Sequence, residues 1–282
     1  SEQKSYIIFS VYLTECTSDE GGFFFQGLAL QAMPISWYNC FWKTGIQLLY
    51  RTFLEGGIKL KRRIVTAAQM KEIERTGNAH GLPYLKMMEN AGQAAYEQLQ
   101  SHVPQGRSLL IVCGKGNNGG DGFVIARAAI ADGWRVTVLL AEGDPKTHDA
   151  KTNYARLSNL SVTVCRDAAA LKAQSFDAVI DALYGTGFHG SLRTTGSVAC
   201  ALMNRQRERG TFVLAVDLPS GINTDTGEVA DGAVRAELTV TFDSFKPLHM
   251  ASNSASYCGE VVCADIGILD EWHPIEGTSQ KR

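Results

Sequence analysis

The chain has 282 residues, and its 27 lysines and arginines against 29 aspartates and glutamates give a net charge of −2. Hydrophobic residues make up 45% and charged residues 20%, which is typical of a globular protein and unlike a disordered chain. The charge balance argues against a generally basic nucleic-acid binder, and the absence of a long unbroken apolar run argues against a membrane-spanning helix.

The cysteines indicate a reducing compartment. They number seven, an odd count, and form no Cys-x-x-Cys pair of the kind that a zinc site needs. Several stand within apolar runs, such as Cys113 after residues 109–112, as buried free thiols do. We expect a cytoplasmic protein, with an organelle as the alternative if the N-terminal segment is a leader.

The first 60 residues differ from the rest. The apolar clusters at 6–9 and 23–25 follow neither a helical nor an alternating period, and Glu2, Glu15 and Asp19 break the pattern of a signal or transit peptide. We predict an N-terminal extension of unknown structure at 1–60, a domain at 61–272 and a C-terminal tail at 273–282. The extension is a poorly ordered segment, an unclassified leader or sequence foreign to the domain.

The domain begins with two predicted helices and continues with strands and helices in alternation. A capping-box pattern at Thr66 opens the first helix, Gly81 and Pro83 interrupt it, and the second covers 84–100. Strands are predicted at 109–113, 135–140, 162–165, 178–181, 212–217, 238–242 and 261–264, with helices near 121–132, 147–158, 168–174 and 194–209. This alternation predicts a doubly wound, Rossmann-like three-layer α/β/α sandwich with a mostly parallel central sheet.

A glycine-rich stretch follows the first strand of this alternation. Gly114, Gly116 and Gly119 satisfy the Gly-x-Gly-x-x-Gly pattern, and Glu142 follows the next strand, where a ribose-binding acid would stand. One interpretation is therefore an NAD(P)-dependent oxidoreductase; a tight strand-to-helix turn is the structural alternative.

The same stretch is unusually rich in side-chain oxygens. Asn117, Asn118 and Asp121 occupy positions that vary in an ordinary dinucleotide fingerprint. Asp121 could also serve only as a helix N-cap. The stretch therefore does not by itself decide between a nucleotide site and a structural turn.

Acidic residues also end two later strands. Asp181 and Asp217 each close an apolar run and lead into a glycine-containing loop. Because ligands bind at the carboxyl ends of parallel strands, we expect these acids to converge with Asp121, Asn118 and Ser220 at one edge of the sheet.

The three motifs resemble one family. Gly-x-Gly-Asn-Asn-Gly-Gly-Asp-Gly at 114–122, Asp-Ala-Leu-Tyr-Gly-Thr-Gly-Phe at 181–188 and Val-Asp-Leu-Pro-Ser-Gly-Ile at 216–222 are similar to the YjeF N-terminal domain. The resemblance covers about residues 64–270. It implies an NAD(P)H-hydrate epimerase, an isomerase that interconverts the R and S epimers of hydrated NADH and NADPH in cofactor repair.

The resemblance also implies a site. Asp217 would be the catalytic residue, and a potassium ion, one per subunit, would be held by Asn118, Asp181, Ser220 and backbone carbonyls. Such oxygen-only ligands suit a hard cation. The substrate-binding residues would be Asn117, Asn118, Gly119, Gly120, Asp121, Gly185, Thr186, Gly187, Phe188, His189, Gly190, Ser191 and Asp217.

The reaction can be argued from the substrate. The hydrate carries a hydroxyl on C6 beside the ring nitrogen, so its proton-assisted loss gives an iminium-like species that water can attack from either face; transient ring opening is the alternative. We expect Asp217 to give and take the proton, with a pKa raised by partial burial. The nicotinamide nucleotide is then the substrate rather than a cofactor.

The family also implies partners. We expect a homodimer and functional coupling to an ADP/ATP-dependent NAD(P)H-hydrate dehydratase, with neither nucleic acid nor membrane as a partner. The chain is either a stand-alone epimerase or part of a longer one. Two alternatives stay open, an oxidoreductase and a non-catalytic nucleotide- or protein-binding scaffold of the same fold.

Overall fold

The structure, a computed structural model, describes residues 63–273 and four short strands nearer the N-terminus. The chain divides into two compact units, residues 1–61 and 62–282. In the first unit, β1 (Tyr6–Ile8) pairs with β4 (Ala32–Pro34), and β2 (Cys16–Thr17) pairs with β3 (Phe23–Phe24), both antiparallel. The predicted assignment of 1–60 as an extension and of 273–282 as a tail stays a prediction.

The second unit alternates helices with strands. Its helices are α1 (Ala67–Ala79), α2 (Tyr84–His102), α3 (Asn117–Ala131), α4 (His148–Ala155), α5 (Thr194–Glu208), α6 (Pro247–Met250) and α7 (Ser252–Cys258). Its strands are β5 (Ser108–Cys113), β6 (Arg135–Leu140), β7 (Val162–Cys165), β8 (Ala178–Ala182), β9 (Phe212–Val216), β10 (Leu238–Phe242) and β11 (Glu260–Ala264). Short 3₁₀ turns cover Ala168–Leu171 and Asp270–Trp272.

These seven strands form one sheet in the order β11-β10-β9-β8-β5-β6-β7, with every neighbouring pair parallel. The chain runs outward from β5 to β7 and then returns to β8 on the other side of β5. The order therefore reverses between β5 and β8, where a doubly wound sheet binds its ligands at the carboxyl ends of the strands. The predicted α/β fold class is confirmed.

Both faces of the sheet are buried because residues of each strand alternate between two cores. In β5, Leu109 and Ile111 belong to the core beneath α1, α2 and α3, whereas Leu110 and Val112 belong to the core beneath α5. The central strand is therefore apolar along nearly its whole length, and it holds the residues that follow it at a rigid edge.

Several predicted elements differ from the structure; for example, the helix predicted near 147–158 ends at Ala155. Helix α3 begins at Asn117 rather than near 121, because Gly116 adopts an extended conformation and acts as its N-cap. The helix predicted near 168–174 is only a 3₁₀ turn, with the Asp167 carboxylate capping the Ala169 N–H. Strand β9 ends at Val216, because Asp217 turns out of the strand with a φ of 68°.

Two kinds of feature are absent from the described residues, a membrane-spanning helix and a cluster of histidine, cysteine and acidic side chains that could hold a metal ion. Within the described part of the chain, no helix is long and apolar enough to cross a membrane. Within the same residues, no group of three or more histidine, cysteine, aspartate or glutamate side chains is placed to hold a metal ion.

Candidate active site

A cleft of about 470 Å³ lies at the carboxyl edge of the sheet, between the loops that follow β5, β8, β9 and β10. It contains most of the predicted substrate-binding residues. Those that line it are Asn117, Asn118, Asp121, Gly185, Thr186, Gly187, Phe188, His189, Ser191 and Asp217. Another cavity of similar volume, near 102–106 and 209–211, lies where β5 and β9 begin and holds none of the predicted residues.

Five predicted residues do not line the cleft: Gly119, Gly120, Gly190, Asp181 and Ser220. A Cβ at Gly119 would lie 2.1 Å from the carbonyl oxygen of Gly114, and one at Gly120 would lie 2.5 Å from Sδ of Met88. These two glycines therefore allow α3 to pack closely against its neighbours. A direct role for them in substrate binding stays a prediction.

The N-terminus of α3 lies at the cleft. Its N-cap, Gly116, offers no side chain to the first turn, so the first backbone N–H groups lack a capping acceptor. Such a terminus carries partial positive charge and favours anions. Asp121 stands one turn further along the helix and so is not its N-cap, which excludes the structural alternative for this residue.

The cleft also contains a buried ion pair. The ammonium of Lys246 lies 2.7 Å from Oδ1 of Asp217, and the two side chains are only 1% and 13% exposed. The same ammonium donates to Oγ1 of Thr241 at 2.8 Å and to the carbonyl of Phe242 at 3.1 Å. All three of its protons therefore have acceptors, as a buried ammonium requires.

His249 binds the backbone of both residues of this ion pair. Its Nδ1 accepts the backbone N–H of Lys246 at 3.0 Å, so Nε2 carries the proton and donates to the carbonyl of Asp217 at 3.1 Å. Burial lowers the pKa of His249 to about 4, which keeps the ring neutral. The backbone of Asp217 is thus held at its φ of 68°, a conformation that few side chains adopt without support.

The prediction of a raised pKa for Asp217 was wrong. Burial by itself would raise that pKa, but the charge and hydrogen bond of Lys246 outweigh it and hold the pKa below its ordinary value. Thr241 adds a hydrogen bond to the same oxygen at 2.9 Å. Asp217 is therefore an ionised proton acceptor at neutral pH.

Two other acids in the cleft behave in the opposite way. Burial, with the nearby charges of Asp217 and Glu74, raises the pKa of Asp121 well above its ordinary value. Burial, with the charge of Asp217, raises the pKa of Glu74 to about 7. The cleft thus places an ionised carboxylate beside carboxyl groups that hold protons, which is the arrangement that proton-transfer catalysis needs.

Asp181 and Ser220 lie together behind the cleft wall, both fully buried. The Ser220 hydroxyl and backbone N–H donate to the two carboxylate oxygens at 2.6 and 2.7 Å, and the Leu183 N–H donates at 3.2 Å. Burial nevertheless raises the pKa of Asp181 to about 6. A cation at this position would compensate the buried negative charge.

Asn118 supplies an independent observation on the polar groups available here. Its side-chain nitrogen is buried and has no hydrogen-bond partner among the described residues. Because the two ends of an amide are interchangeable in placement, the same position can present its oxygen instead. A neutral amide oxygen, a buried carboxylate and a hydroxyl form a donor set that fits a hard monovalent cation.

The loop after β8 forms the second wall. The rings of Tyr184 and Phe188 pack 5.3 Å apart, and Asn223 holds His189 through Nδ1 at 3.1 Å. The Tyr184 hydroxyl donates to Glu142 at 3.0 Å. Glu142, the predicted ribose-binding acid, therefore lines the cleft with its carboxylate already partnered.

The sequence analysis gave no role to two cleft residues, Glu74 and Lys246. Lys246 follows the apolar strand β10 by four residues, a position from which a side chain can face the carboxyl edge of the sheet. Glu74 follows Met70 and Ile73 at helical spacing, so it is an acid at an inward position of α1. An acid on an otherwise apolar helix face was a pattern from which the sequence could have indicated a site residue.

With this geometry established, comparison with known proteins identifies the family. The family model described as YjeF-related protein N-terminus matches residues 85–248. The chain belongs to this family. The match contains all three motifs at 114–122, 181–188 and 216–222, so the resemblance found in the sequence is confirmed.

Curated relatives of this YjeF-family chain fall into two groups. Proteins named NAD(P)H-hydrate epimerase from Pirellula staleyi and Limosilactobacillus fermentum are 41% and 35% identical over 67% and 73% of the chain, and over 85% and 98% of their own lengths. The Coxiella burnetii protein named bifunctional NAD(P)H-hydrate repair enzyme Nnr is 36% identical over 72% of the chain. The match spans only 41% of that bifunctional relative.

A solved structure supports the fold of this YjeF-family domain. The crystal structure of yeast ynu0 superposes with a TM-score of 0.62 at 20% identity, covering 72% of this chain and 88% of the yeast chain. At this identity the likeness concerns the fold alone.

Proposed function

We propose that this YjeF-family chain is an NAD(P)H-hydrate epimerase, an isomerase that interconverts the R and S epimers of hydrated NADH and NADPH. The observation that carries the proposal is the ion pair of Asp217 with Lys246, 2.7 Å apart at the end of a nucleotide-sized cleft. Relatives that match over most of their own length bear the epimerase name. The repair reaction as a whole also needs a dehydratase, and the name "bifunctional NAD(P)H-hydrate repair enzyme" of longer relatives agrees with a second activity in those proteins.

The cleft suits the chemistry at C6. Loss of the C6 hydroxyl requires a proton on the departing oxygen, and return of water to the other face requires a base. Asp217 is the base, since Lys246 keeps it ionised. The pocket then needs only to hold the ring so that both faces of C6 can be reached.

The rest of the substrate is placed by the walls. The N-terminus of α3 and the loop at 185–191 present backbone N–H groups and His189 where the pyrophosphate would lie. Asn118, Asp181 and Ser220 would hold one potassium ion per subunit behind this wall. When bound, that ion supplies positive charge which orders the loops around the phosphate groups.

Three further proposals accompany this function. The chain works with an ADP/ATP-dependent NAD(P)H-hydrate dehydratase, which consumes the S epimer. It forms a homodimer, and it acts in the cytoplasm. The cysteines of the described region agree with a reducing compartment, since Cys113, Cys200 and Cys258 are buried free thiols.

Epimer exchange tests the proposal. Purified R hydrate of NADPH is given to the protein together with an S-specific dehydratase and its nucleotide, in potassium buffer, and the recovery of NADPH absorbance is followed. We expect recovery many times faster than spontaneous epimerisation, with a rate that scales with the concentration of this protein. Recovery at the spontaneous rate with retained nucleotide binding would favour the scaffold alternative.

A further inference from the structure

Helix α1 presents one acid on an apolar face. Its buried residues are Met70, Ile73 and Gly77, which recur at helical spacing and pack inward. Glu74 shares this face, since it follows Met70 by four residues. Both side chains line the cleft. A carboxyl at such a position is desolvated in part, which is unfavourable unless it has a partner or a function.

The fold holds this face against the ion pair. The segment before α1 runs beside the segment that leads into Lys246, because the Val65 N–H donates to the Phe245 carbonyl and the Phe245 N–H donates to the Arg63 carbonyl. The first N–H of α1, from Ala67, donates to Asp225 at 2.8 Å. The helix is thereby fixed at its N-terminal end, two turns before Glu74.

The C-terminal end of α1 is fixed as well. A Cβ at Gly77 would lie 2.9 Å from Met87 and 3.2 Å from Trp272, so the helix packs closely against α2 and the final 3₁₀ turn. The ring of Trp272 also stacks on His80 at 5.7 Å. With both ends held, the position of Glu74 over the cleft is set by the fold rather than by the flexibility of a loop.

Glu74 is left available for a ligand. Its half-buried carboxyl takes part in none of the hydrogen bonds that join the described residues, whereas the neighbouring acid Glu72 points outward and binds Arg75 at 2.6 and 2.8 Å. The charged groups around Glu74 come from four elements. They are Lys71 on its own helix, Asp121 on α3, Asp217 after β9, and Asp243 and Lys246 after β10.

We propose that Glu74 is a second catalytic residue, the general acid that protonates the departing C6 hydroxyl while Asp217 serves as the base. This inference rests on the proposed epimerase function. Asp217 is committed to the ionised state by Lys246, so the reaction needs a separate proton donor in the same cleft. Glu74 meets that need because it lines the same cleft from α1, an element separate from the loops that carry the ion pair.

The proposed step is a dehydration at C6 followed by rehydration from the other face. Glu74 transfers its proton to the C6 hydroxyl oxygen, the C6–O bond breaks, and water leaves as the ring-nitrogen lone pair forms the C=N bond of the iminium. Water then forms a new C6–O bond from the other face and loses a proton to Asp217. Exchange of that proton through solvent returns it to Glu74, so neither an oxidant nor a reductant is involved.

The pKa of Glu74 agrees with its role as the acid. Burial, with the charge of Asp217, raises the pKa of Glu74 to about 7, so the group is protonated in a large fraction of molecules at neutral pH and can exchange its proton readily. The donor form is lost as the pH rises through this value. The enzymatic rate should therefore fall above about pH 7.

The test compares Glu74→Gln with Glu72→Gln in the full chain, using the epimer-exchange assay from pH 5.5 to 9 after subtraction of the spontaneous rate. Glu74→Gln keeps the size and polarity of the side chain but removes its proton exchange. We expect a loss of kcat of about 100-fold or more with KM little changed, together with loss of the decline above pH 7. Glu72→Gln should keep both the rate and the pH profile of the unaltered protein.

A second variant separates catalysis from folding. Glu74→Asp retains a carboxyl and should recover part of the lost rate and the alkaline decline, which restored packing alone would not produce. If the unaltered protein exchanges epimers while Glu74→Gln keeps its rate and its pH profile, the assignment of Glu74 is overturned and the epimerase function stands. If the unaltered protein does not exchange epimers, the proposed function itself is overturned.

Discussion

Lys246 and Asp217 follow neighbouring strands, β10 and β9, and their charged groups meet 2.7 Å apart with both side chains largely buried. The pair joins two otherwise separate loops and decides which carboxyl in the cleft carries a negative charge. Lys246 lowers the pKa of Asp217, whereas two other acids of the cleft, Asp121 and Glu74, lie near the Asp217 charge and retain their protons more strongly.

Removal of the lysine tests whether Lys246 determines that Asp217 is the ionised carboxyl. We expect Lys246→Met to raise the pKa of Asp217, because burial then acts without a compensating charge, and to move the acid side of the pH–rate profile to higher pH. Loss of one partner of a buried ion pair should also lower the free energy of unfolding by about 3 to 5 kcal/mol. Denaturant unfolding and the pH–rate profile measure the two effects, and the exposed Lys86→Met serves as the control.

The same pair predicts acid sensitivity. Since the folded-state pKa of Asp217 is below its unfolded value, the pair stabilises the protein fully above about pH 4, and this contribution is lost as the pH falls through the folded value. An acid titration of stability in which Lys246→Met and the unaltered chain lose the same free energy would contradict this account.

Asp243, which follows the neighbouring strand, is a matched control for Asp217. Asp217 and Asp243 follow β9 and β10, and both have positive φ angles, 68° and 59°. Asparagine tolerates this conformation, so Asp217→Asn should remain folded while the epimerisation rate falls by about 100-fold or more.

In Asp243→Asn the rate should stay close to normal, because the Asp243 carboxylate is paired with His273 at 2.8 Å and is not among the cleft-lining residues. Thermal unfolding followed by circular dichroism verifies that both variants are folded. Equal rates in the two variants would remove Asp217 from the mechanism.

The potassium proposal predicts a pH-dependent response to the ion. Burial raises the pKa of Asp181 to about 6, so protons and a cation compete for this carboxylate, and the ion should bind more tightly as the pH rises through that value. We expect potassium chloride to raise the melting temperature more at pH 7.5 than at pH 5.5, relative to choline chloride of equal ionic strength.

The Asp181→Asn variant should lose this potassium response at both pH values. A response that is the same at both pH values in the unaltered protein, or that survives in Asp181→Asn, would place the ion elsewhere or exclude it.

Two glycines of one loop should differ in their tolerance of a methyl group. A Cβ at Gly114 would lie 1.9 Å from the Leu183 carbonyl oxygen, which belongs to the backbone of the next wall and cannot move aside cheaply. Gly114→Ala should therefore lower the free energy of unfolding by about 2 kcal/mol or more.

At Gly116 a Cβ would meet open space, so Gly116→Ala should change stability by less than about 1 kcal/mol. Chemical denaturation of both variants measures the difference. Equal losses would show that close approach of the backbone at Gly114 does not matter.

The sequence by itself determined the fold class and the edge at which the site would lie. Apolar strands that alternate with helices bury both faces of a sheet, so periodicity and composition were sufficient to predict a parallel arrangement. Asp121, Asp181 and Asp217 were expected at one edge because parallel strands end there, and all three do lie at or just behind that edge. Local signals also placed most helix and strand limits correctly.

Only the tertiary structure determined which acidic side chains of the cleft are ionised. Whether Asp217 carries a proton depends on Lys246, which is 29 residues away in the chain and follows the neighbouring strand of the sheet. The raised pKa of Glu74 likewise comes from burial and from the charge of Asp217, which follows it by 143 residues in the chain. Electrostatic environment is set by distance and desolvation in three dimensions, and a one-dimensional pattern contains neither quantity.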